Sequence, residues 1–586
     1  MPTLNWIGKK AVVNHHRHVP FHLLQDVAEF SVGDPGSGNL LVEGDNLVAL
    51  KALLPYYAGQ IKCIYIDPPY NTGNEKWIYN DNVNSPEMRD WLGKAVGDEY
   101  EDLTRHDKWL CMMYPRLMLL RQFLKVDGVI LVSIDDFEQF RLRSLLDEVF
   151  GAQNFIAQLI WDKTRKNDAK LFSVGHEYIV VYARSLQHLR QRNTIWREQK
   201  PGAKEIIEKW KLIAGAAGDD YDQIEQELRA WYKELPKNHP SKKLSRYKWV
   251  DRFGPWRDRD ISWPGGNGPR YDVIHPATGL PCKVPERGWG FATSDEMQRL
   301  ISLGLVEFRK DHTKPPFRKA HLLPTAEESQ LSSSDQEREG SAEEEDAGLL
   351  VMPSVIHKQA QVSVKLLRKI FGGKKAFPNP KDHEVLMRLI RYVTEPGDIV
   401  LDSFAGSGST GHAVLQSNSL DNELRKFILI EMDPEVAVGV TFERVKRVVH
   451  GVDDLMALGG GFRYTRLGKP LFDESGKIRS DVQFSELARH VYFIETGEPQ
   501  PNQLGPSSPL IGICKDVAIY LLYNGVLKDR SASGGNVLTS PLLQRLPPHG
   551  GPKVIYGTAC RLGGERLRSE GITFKQLPYK LRVGAL

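Results

Sequence analysis

The sequence predicts an α/β fold, a doubly wound sheet assembled from two separate blocks of chain, with a different kind of domain inserted between them and a further α/β domain after residue 458. Three observations lead there. Strand-length apolar runs alternate with helix-length segments in residues 38–190 and again after 351, which implies strands joined by crossover helices in a parallel sheet. Two of the runs end abruptly, in "DPPY" (67–70) and in "SFAGSGST" (403–410), and a doubly wound sheet presents its ligands outside such strand ends. The stretch between the blocks, 191–325, is rich in Gly, Pro, Trp and Arg and breaks the alternation.

In chain order, "NLLVEGDNLVALKALL" (39–54) reads as a strand, a turn and a helix, and "IKCIYID" (61–67) as a buried strand. "WLCMMYPRLMLLRQFL" (109–124) is a helix apolar on most faces. "GVILVSID" (128–135), "FEQFRLRSLLDEVF" (137–150) and "HEYIVVYAR" (176–184) add a strand, a helix and a strand, closing a first block at 1–190. A polar helical piece at about 203–233 opens the inserted domain, 191–325. Residues 326–350 read as a disordered acidic linker, because they have almost nothing apolar to bury. The second block, 351–458, holds the helix "KDHEVLMRLIRYVT" (381–394), the strand and Gly-rich turn "IVLDSFAGSGST" (399–410), the strand "KFILIEMD" (426–433) and a helix from Pro434 to about Val449. Residues 459–586 carry a helix near 482–490 and a β-α-β-like unit, "KVIYGTAC", "RLGGERLRSEG", "ITFKQLPY". They contain no chemical motif and read as a structural or partner-docking domain.

Charge is informative only once it is divided. The 586 residues carry a net +4, but Ala326–Asp346 holds nine acids and one base, Arg338, so the remainder stands at +12. The folded parts therefore suit a polyanion. Lys242–Arg259 concentrates that charge, with Lys242, Lys243, Arg246, Lys248, Arg252, Arg257 and Arg259 against two acids. Tyr247, Trp249, Phe253 and Trp256 lie between them, a pattern that suits phosphate contacts with base stacking or wedging. Five scattered cysteines, never paired as Cys-x-x-Cys, argue against a disulfide framework and a zinc site, and His15, His16 and His18 stand without a second ligand cluster, so no metal is expected. No apolar stretch approaches the roughly 20 residues that cross a membrane, and no signal-peptide pattern opens the chain, so a cytoplasmic protein is expected.

The two strand ends carry the chemistry. Gly406 and Gly408 let a ligand approach the backbone and the N-terminus of the following helix, and Glu431, at the end of the next strand, is placed as an acid that accepts from ribose hydroxyls. No phosphate-cradling Gly-x-x-x-x-Gly-Lys-Ser/Thr is present, so the nucleoside ligand need not carry phosphates. At the other end, Asp67 and the Pro68 carbonyl can accept the hydrogens of a planar exocyclic amine. The nitrogen then becomes more tetrahedral and its lone pair is directed at an electrophilic methyl. Pro68 and Pro69 make the backbone rigid, and Tyr70 offers a ring on which an extruded base can stack.

Taken together, the DPPY tetrapeptide and the FAGSGS turn resemble the two signature motifs of S-adenosylmethionine-dependent amino methyltransferases that act on DNA, in the order of the beta class. "LLVEGDNLVAL", "IKCIYIDPPYNTGNE", "YNDN", "DGVILVSIDDFEQ" and "HEYIVVYAR" resemble more closely the Mod subunit of type III restriction-modification systems and related adenine methyltransferases. The resemblance covers about residues 38–190 and 355–450. It implies a Rossmann-like methyltransferase sheet and S-adenosylmethionine as cofactor. It implies Asp67, Pro68, Pro69 and Tyr70 as catalytic residues, with aspartate rather than serine favouring the N6 of adenine. It further implies Asp402, Ser403, Phe404, Gly406, Gly408 and Glu431 around the cofactor, Asn379 and Lys381 of "FPNPKD" at its methionine carboxylate, and Asp45 of "EGDN" as another contact. Residues 191–325 take the place of a target recognition domain. Double-stranded DNA, a separate helicase-nuclease restriction subunit and a second copy of the chain are the expected partners. Three other readings remain: a recognition subunit with methylation secondary, methylation of RNA, and methylation of a protein amide. Cys282 after Pro281 resembles the nucleophile of cytosine-C5 enzymes, but it lies away from both motifs, and amine methylation needs no thiolate.

Overall fold

The computed structural model describes residues 3–71, 105–163, 171–263, 266–325, 348–501, 508–523 and 535–578. The acidic Ala326–Asp346 stretch and "YNDN" lie outside them. The chain divides into two compact units, Met1–Arg192 with Ser354–Leu586, and Asn193–Pro353. The second unit spans the predicted 191–325 domain together with the acidic stretch.

The first unit is built on a large mixed sheet. Its strands are β1 (His22–Asp26), β2 (Leu40–Glu43), β3 (Ile61–Ile66), β4 (Leu124–Ile134), β5 (Phe155–Asp162), β6 (His176–Ala183), β7 (Val355–His357), β8 (Ile399–Asp402), β9 (Lys426–Glu431) and β10 (Gly461–Pro470). Their order across the sheet is β1-β10-β2-β9-β8-β3-β4-β6-β5-β7. From β10 to β4 neighbouring strands are parallel. The strand "HEYIVVYAR", predicted in a parallel sheet, instead runs antiparallel to both β4 and β5. Parallel neighbours need a crossover connection, usually a helix, whereas consecutive strands that pair antiparallel, as β5 and β6 do, need none.

The order reverses at one place. From β8 the chain moves outward to β9, whereas from β3 it moves outward to β4 on the other side, so β8 and β3 flank a topological switch point. All six residues of β3 are buried, and the central strands are apolar on both faces, as strands covered on both sides must be. Against the sheet pack α1 (Asn46–Tyr57), through Leu47, Leu50, Leu53 and Leu54, and α2 (Arg105–Phe123), through Trp109, Met113, Leu117 and Leu120. Each such side chain contributes about 2 kcal/mol on leaving water. The second block adds α3 (His383–Val393), α4 (Ser409–Asp421) and α5 (Glu443–His450).

The segment after 458, predicted as a domain of its own, first supplies β10 to the main sheet. It then forms α6 (Phe484–Thr496) and a small sheet, β11 (Leu510–Cys514), β12 (Val517–Leu521), β13 (Lys553–Gly557) and β14 (Ile572–Gln576). β13 and β14 are parallel around the short helix Gly564–Ser569, the β-α-β unit read from the sequence. No helix among the described residues is long and apolar enough to cross a membrane.

The second unit pairs helices Ala203–Ala217 and Tyr221–Glu234 with a four-stranded antiparallel sheet, and buries Ile206, Leu228, Tyr247, Val250 and Leu322 between them.

Candidate active site

Both punctuated strand ends meet at the switch point. In the β3–β8 ladder Cys63 faces Val400 and Ile64 faces Leu401, so Asp67 and Asp402 follow at the carboxyl ends of adjacent parallel strands. A cleft open to solvent, about 310 Å³ counting the open space at its mouth, lies there. It is lined by Tyr65 of β3 and Asp67 just past its end, by Phe377, Asn379 and Lys381, and by Asp402, Phe404, Gly406, Ser407 and Ser409 at and after the end of β8.

Asp67 sits among buried charges. The Lys381 ammonium lies 3.0 Å from Asp67 Oδ1, 2.9 and 3.1 Å from the two oxygens of Glu177, and 4.7 Å from the centre of the Tyr70 ring. Lys163 Nζ reaches Glu177 Oε1 at 2.5 Å, and the Tyr70 hydroxyl donates to Glu177 Oε2 at 3.1 Å. Burial raises the Asp67 carboxyl above its ordinary value, against the opposing pull of Lys381. Burial also acts to raise Glu177, but the ammonium groups of Lys163 and Lys381 outweigh it and hold that carboxyl at about 2. Lys163 itself is lowered to about 8 by burial. Tyr70, read as an exposed stacking ring, is half-buried, with its hydroxyl engaged.

The backbone after Asp67 is pinned on both sides. Trp109 Nε1 donates to the Pro69 carbonyl at 2.6 Å. Asn71, in the left-handed region at φ 57°, donates from Nδ2 to Glu138 at 2.6 Å and to the Arg105 carbonyl at 3.1 Å.

The turn after β8 is held from within. Asp402 accepts the Phe404 N–H at 2.9 Å and the Thr410 hydroxyl at 2.6 Å, and burial pushes its carboxyl up to about 7. Gly406 and Gly408 have φ of 50° and 73°. At Gly408 a Cβ would also approach the Thr441 carbonyl oxygen at 3.2 Å and Val445 at 3.3 Å, so the position needs glycine for space as well as conformation. Glu431 accepts the N–H of Gly406 at 2.8 Å and of Asp433 at 2.9 Å, and burial raises it to about 8. The buried Arg444 donates to Ser407 Oγ at 3.0 Å and to Ser409 Oγ at 2.7 Å. Ser409 Oγ in turn donates to the Lys381 carbonyl at 2.8 Å, so Lys381 meets the turn through its backbone and Asp67 through its ammonium.

Asp45 caps α1 by accepting the Val48 N–H at 3.0 Å and lies 3.4 Å from Arg116. Arg116 Nε also donates to Asn46 Oδ1 at 2.6 Å, and Asn46 Nδ2 donates to the Ser403 carbonyl at 3.1 Å, tying α2 and α1 to the turn.

In the second unit the basic stretch divides. Lys243, Arg246, Lys248 and Arg252 are exposed, Arg257 and Arg259 half-buried, and the Lys242 ammonium donates to the Tyr232 carbonyl. Of the four interleaved aromatics, Tyr247 and Trp256 are core residues at 0% and 5% exposure, which removes them from base stacking. Trp249 and Phe253 remain partly accessible, with Lys248 and Arg252 over their rings at 4.4 and 4.5 Å. Cys282 is buried with Val273, Trp289 and Phe291, and burial pushes its thiol up, away from a nucleophilic thiolate. No group of three metal-ligating side chains occurs among the described residues, and His16 is buried and lowered to about 4 by desolvation.

Glu177, Lys163, Asn46, Arg116 and Arg444 are the site residues that the sequence reading missed. Glu177 was within reach, because an acid between His176 and the apolar run "YIVVY" is out of place in a buried strand. For Asn46, Arg116 and Arg444, contacts across tens to hundreds of residues leave no local signal, and Lys163 meets Glu177 only through the pairing of β5 with β6.

The residues present fit an adenosyl cofactor with an amino-acid tail. The cleft combines the rings of Phe377 and Phe404 with a glycine turn whose helix, α4, has no side-chain cap at Gly408. Beside the turn, Ser403 Oγ is buried without a hydrogen-bond partner among the described residues.

Comparisons with known proteins agree in direction. Residues 61–440 match the N6/N4 methyltransferase family model, described as a DNA methylase. The chain is 31% identical to the type III restriction-modification enzyme EcoP15I Mod subunit of Escherichia coli over 519 residues, covering 84% of this chain and 74% of that one. It is 30% identical to the StyLTI Mod subunit of Salmonella typhimurium, covering 68% and 53%, and 28% identical to the type II methyltransferase M.KpnI of Klebsiella pneumoniae, covering 70% and 84%.

Proposed function

We propose that this chain, which belongs to the DNA methylase family, transfers a methyl group from S-adenosylmethionine to the N6 amino group of an adenine turned out of a specific duplex sequence. The observation that carries the reading is the meeting of Asp67 with the Gly406 turn in one cleft at adjacent strand ends. When bound, the cofactor would supply an electrophilic methyl carbon on a positively charged sulfur, a leaving group able to take the C–S electron pair. Asp67 accepts the amine hydrogens, raises the electron density on nitrogen and takes the proton released by way of water. Trp109 and Asn71 fix the backbone that presents Asp67 and Pro68. Phe404, Gly406, Gly408 and Ser403 would hold the cofactor, with Asp45 and Asn379 at the margins of its site. The aspartate at 67, where serine would favour the N4 of cytosine, supports adenine.

Lys243, Arg246, Lys248 and Arg252 would contact phosphates, and Asn193–Pro353 would choose the sequence. The Mod subunits among the relatives support a role as the modification and recognition subunit of a restriction-modification system, with a helicase-nuclease partner on a separate chain and a second copy of this one.

The test is incubation with labelled S-adenosylmethionine and genomic DNA from an unrelated source, followed by nucleoside analysis and single-molecule mapping. N6-methyladenine in one short context is expected. N4-methylcytosine would overturn the choice of base, and cofactor binding without any modified DNA would overturn the enzyme reading for the isolated chain.

A further inference from the structure

Lys381 touches both buried carboxylates of the cleft, but the two contacts differ in kind. Its ammonium donates to both oxygens of Glu177 and to the Tyr70 hydroxyl, whereas toward Asp67 it makes a single ion pair, to Oδ1 at 3.0 Å. A buried carboxylate oxygen held by one cation alone can take another N–H once that cation withdraws. Glu177 is fully engaged by comparison, taking Lys163 at 2.5 Å and the Tyr70 hydroxyl at 3.1 Å besides Lys381. The four charged groups come from four segments: the ends of β3 and β5, the start of β6, and the residue two before α3.

We propose that Glu177 is a positioning residue that holds Lys381 away from Asp67 when the target amine enters. The proposal rests on the amine-methylation reading. The amine hydrogens need the oxygen beside which Lys381 lies, and a lysine remaining there would compete for it. The nitrogen also gains positive charge as its lone pair forms the N–C bond, and a neighbouring ammonium would oppose that change. Retreat toward Glu177 needs no new partner, because Lys381 already bonds both of its oxygens. Lys163 keeps Glu177 ionised, so the pair persists after Asp67 has turned to the amine. Before the base arrives, Lys381 screens a carboxylate that would otherwise be buried alone.

The test is a double-mutant cycle in the full-length chain, read as single-turnover methylation of the duplex target mapped for the wild type, with cofactor affinity by calorimetry. Glu177→Gln is expected to slow transfer about ten-fold or more, with the cofactor Kd within about three-fold; in a Lys381→Met background the same change is expected to cost about three-fold or less, because no cation remains to withdraw. A smaller loss in the first case, or equal losses in both backgrounds, overturns the proposal. If Glu177→Gln fails to bind cofactor, Glu177→Asp, which keeps the charge and shortens the reach, takes its place in the same cycle. A wild type that methylates no DNA defeats the methylation reading and this inference together, whereas an active wild type with an equally fast Glu177→Gln variant defeats the inference alone.

Discussion

Glu431 Oε2 accepts the Gly406 N–H at 2.8 Å, so the acid at the end of β9 fixes the turn that follows its neighbour β8. Burial raises Glu431 to about 8 and Asp402, in the same turn, to about 7. Carboxyls whose folded pKa lies above the unfolded value stabilise fully at low pH, and that contribution is lost as pH rises through the folded pKa. Melting temperature is therefore expected to fall between about pH 5 and about pH 8. Glu431→Gln should melt lower at pH 5 and show a shallower decline. A wild-type melting temperature that rises across the window would contradict the placement of both acids.

Gly408→Ala tests whether the turn needs glycine. The residue has φ 73° and its Cβ would press on the Thr441 carbonyl and Val445, so the substitution should cost about 1–3 kcal/mol. Isothermal calorimetry should show cofactor affinity reduced about ten-fold or more as the turn shifts.

Asp67→Ala removes the acceptor while leaving the duplex-contacting unit intact. Methyl transfer should fall about 10³-fold, with DNA affinity by fluorescence anisotropy unchanged within about three-fold. Retained turnover would remove Asp67 from the chemistry.

Replacing the exposed Lys243, Arg246, Lys248 and Arg252 together by alanine should weaken DNA binding across all sequences. If all four meet phosphates, the slope of log affinity against log salt should become shallower by about 3 to 4. A slope unchanged between low and moderate salt would place the phosphate contacts elsewhere.

The sequence made the central strands and both strand ends legible because each is a local event: an apolar run followed by residues that must stop it. It misled over strand direction, as in β6, which pairs antiparallel with both of its neighbours although its apolar run reads like those of the parallel strands. Aromatic residues between basic ones also read alike whether they face solvent or core, and only packing separates Tyr247 and Trp256 from Phe253. The charged shell of Asp67 was hidden for another reason. Lys163 and Glu177 meet across two consecutive strands, but Lys381 and Asp67 reach them only from segments far away in the chain.

The strand order carries a consequence for synthesis. β8 and β9, made late, lie between β2 and β3, made early, so the ribosome releases a first block whose two edges cannot yet join. Until about residue 431 has emerged, Asp67 has no turn beside it and the apolar flanks of β2 and β3 have no neighbours on that side. Methylating competence therefore arrives only after the second block has emerged, and a chain terminated prematurely within the inserted unit is expected to be both inactive and prone to associate through its open sheet.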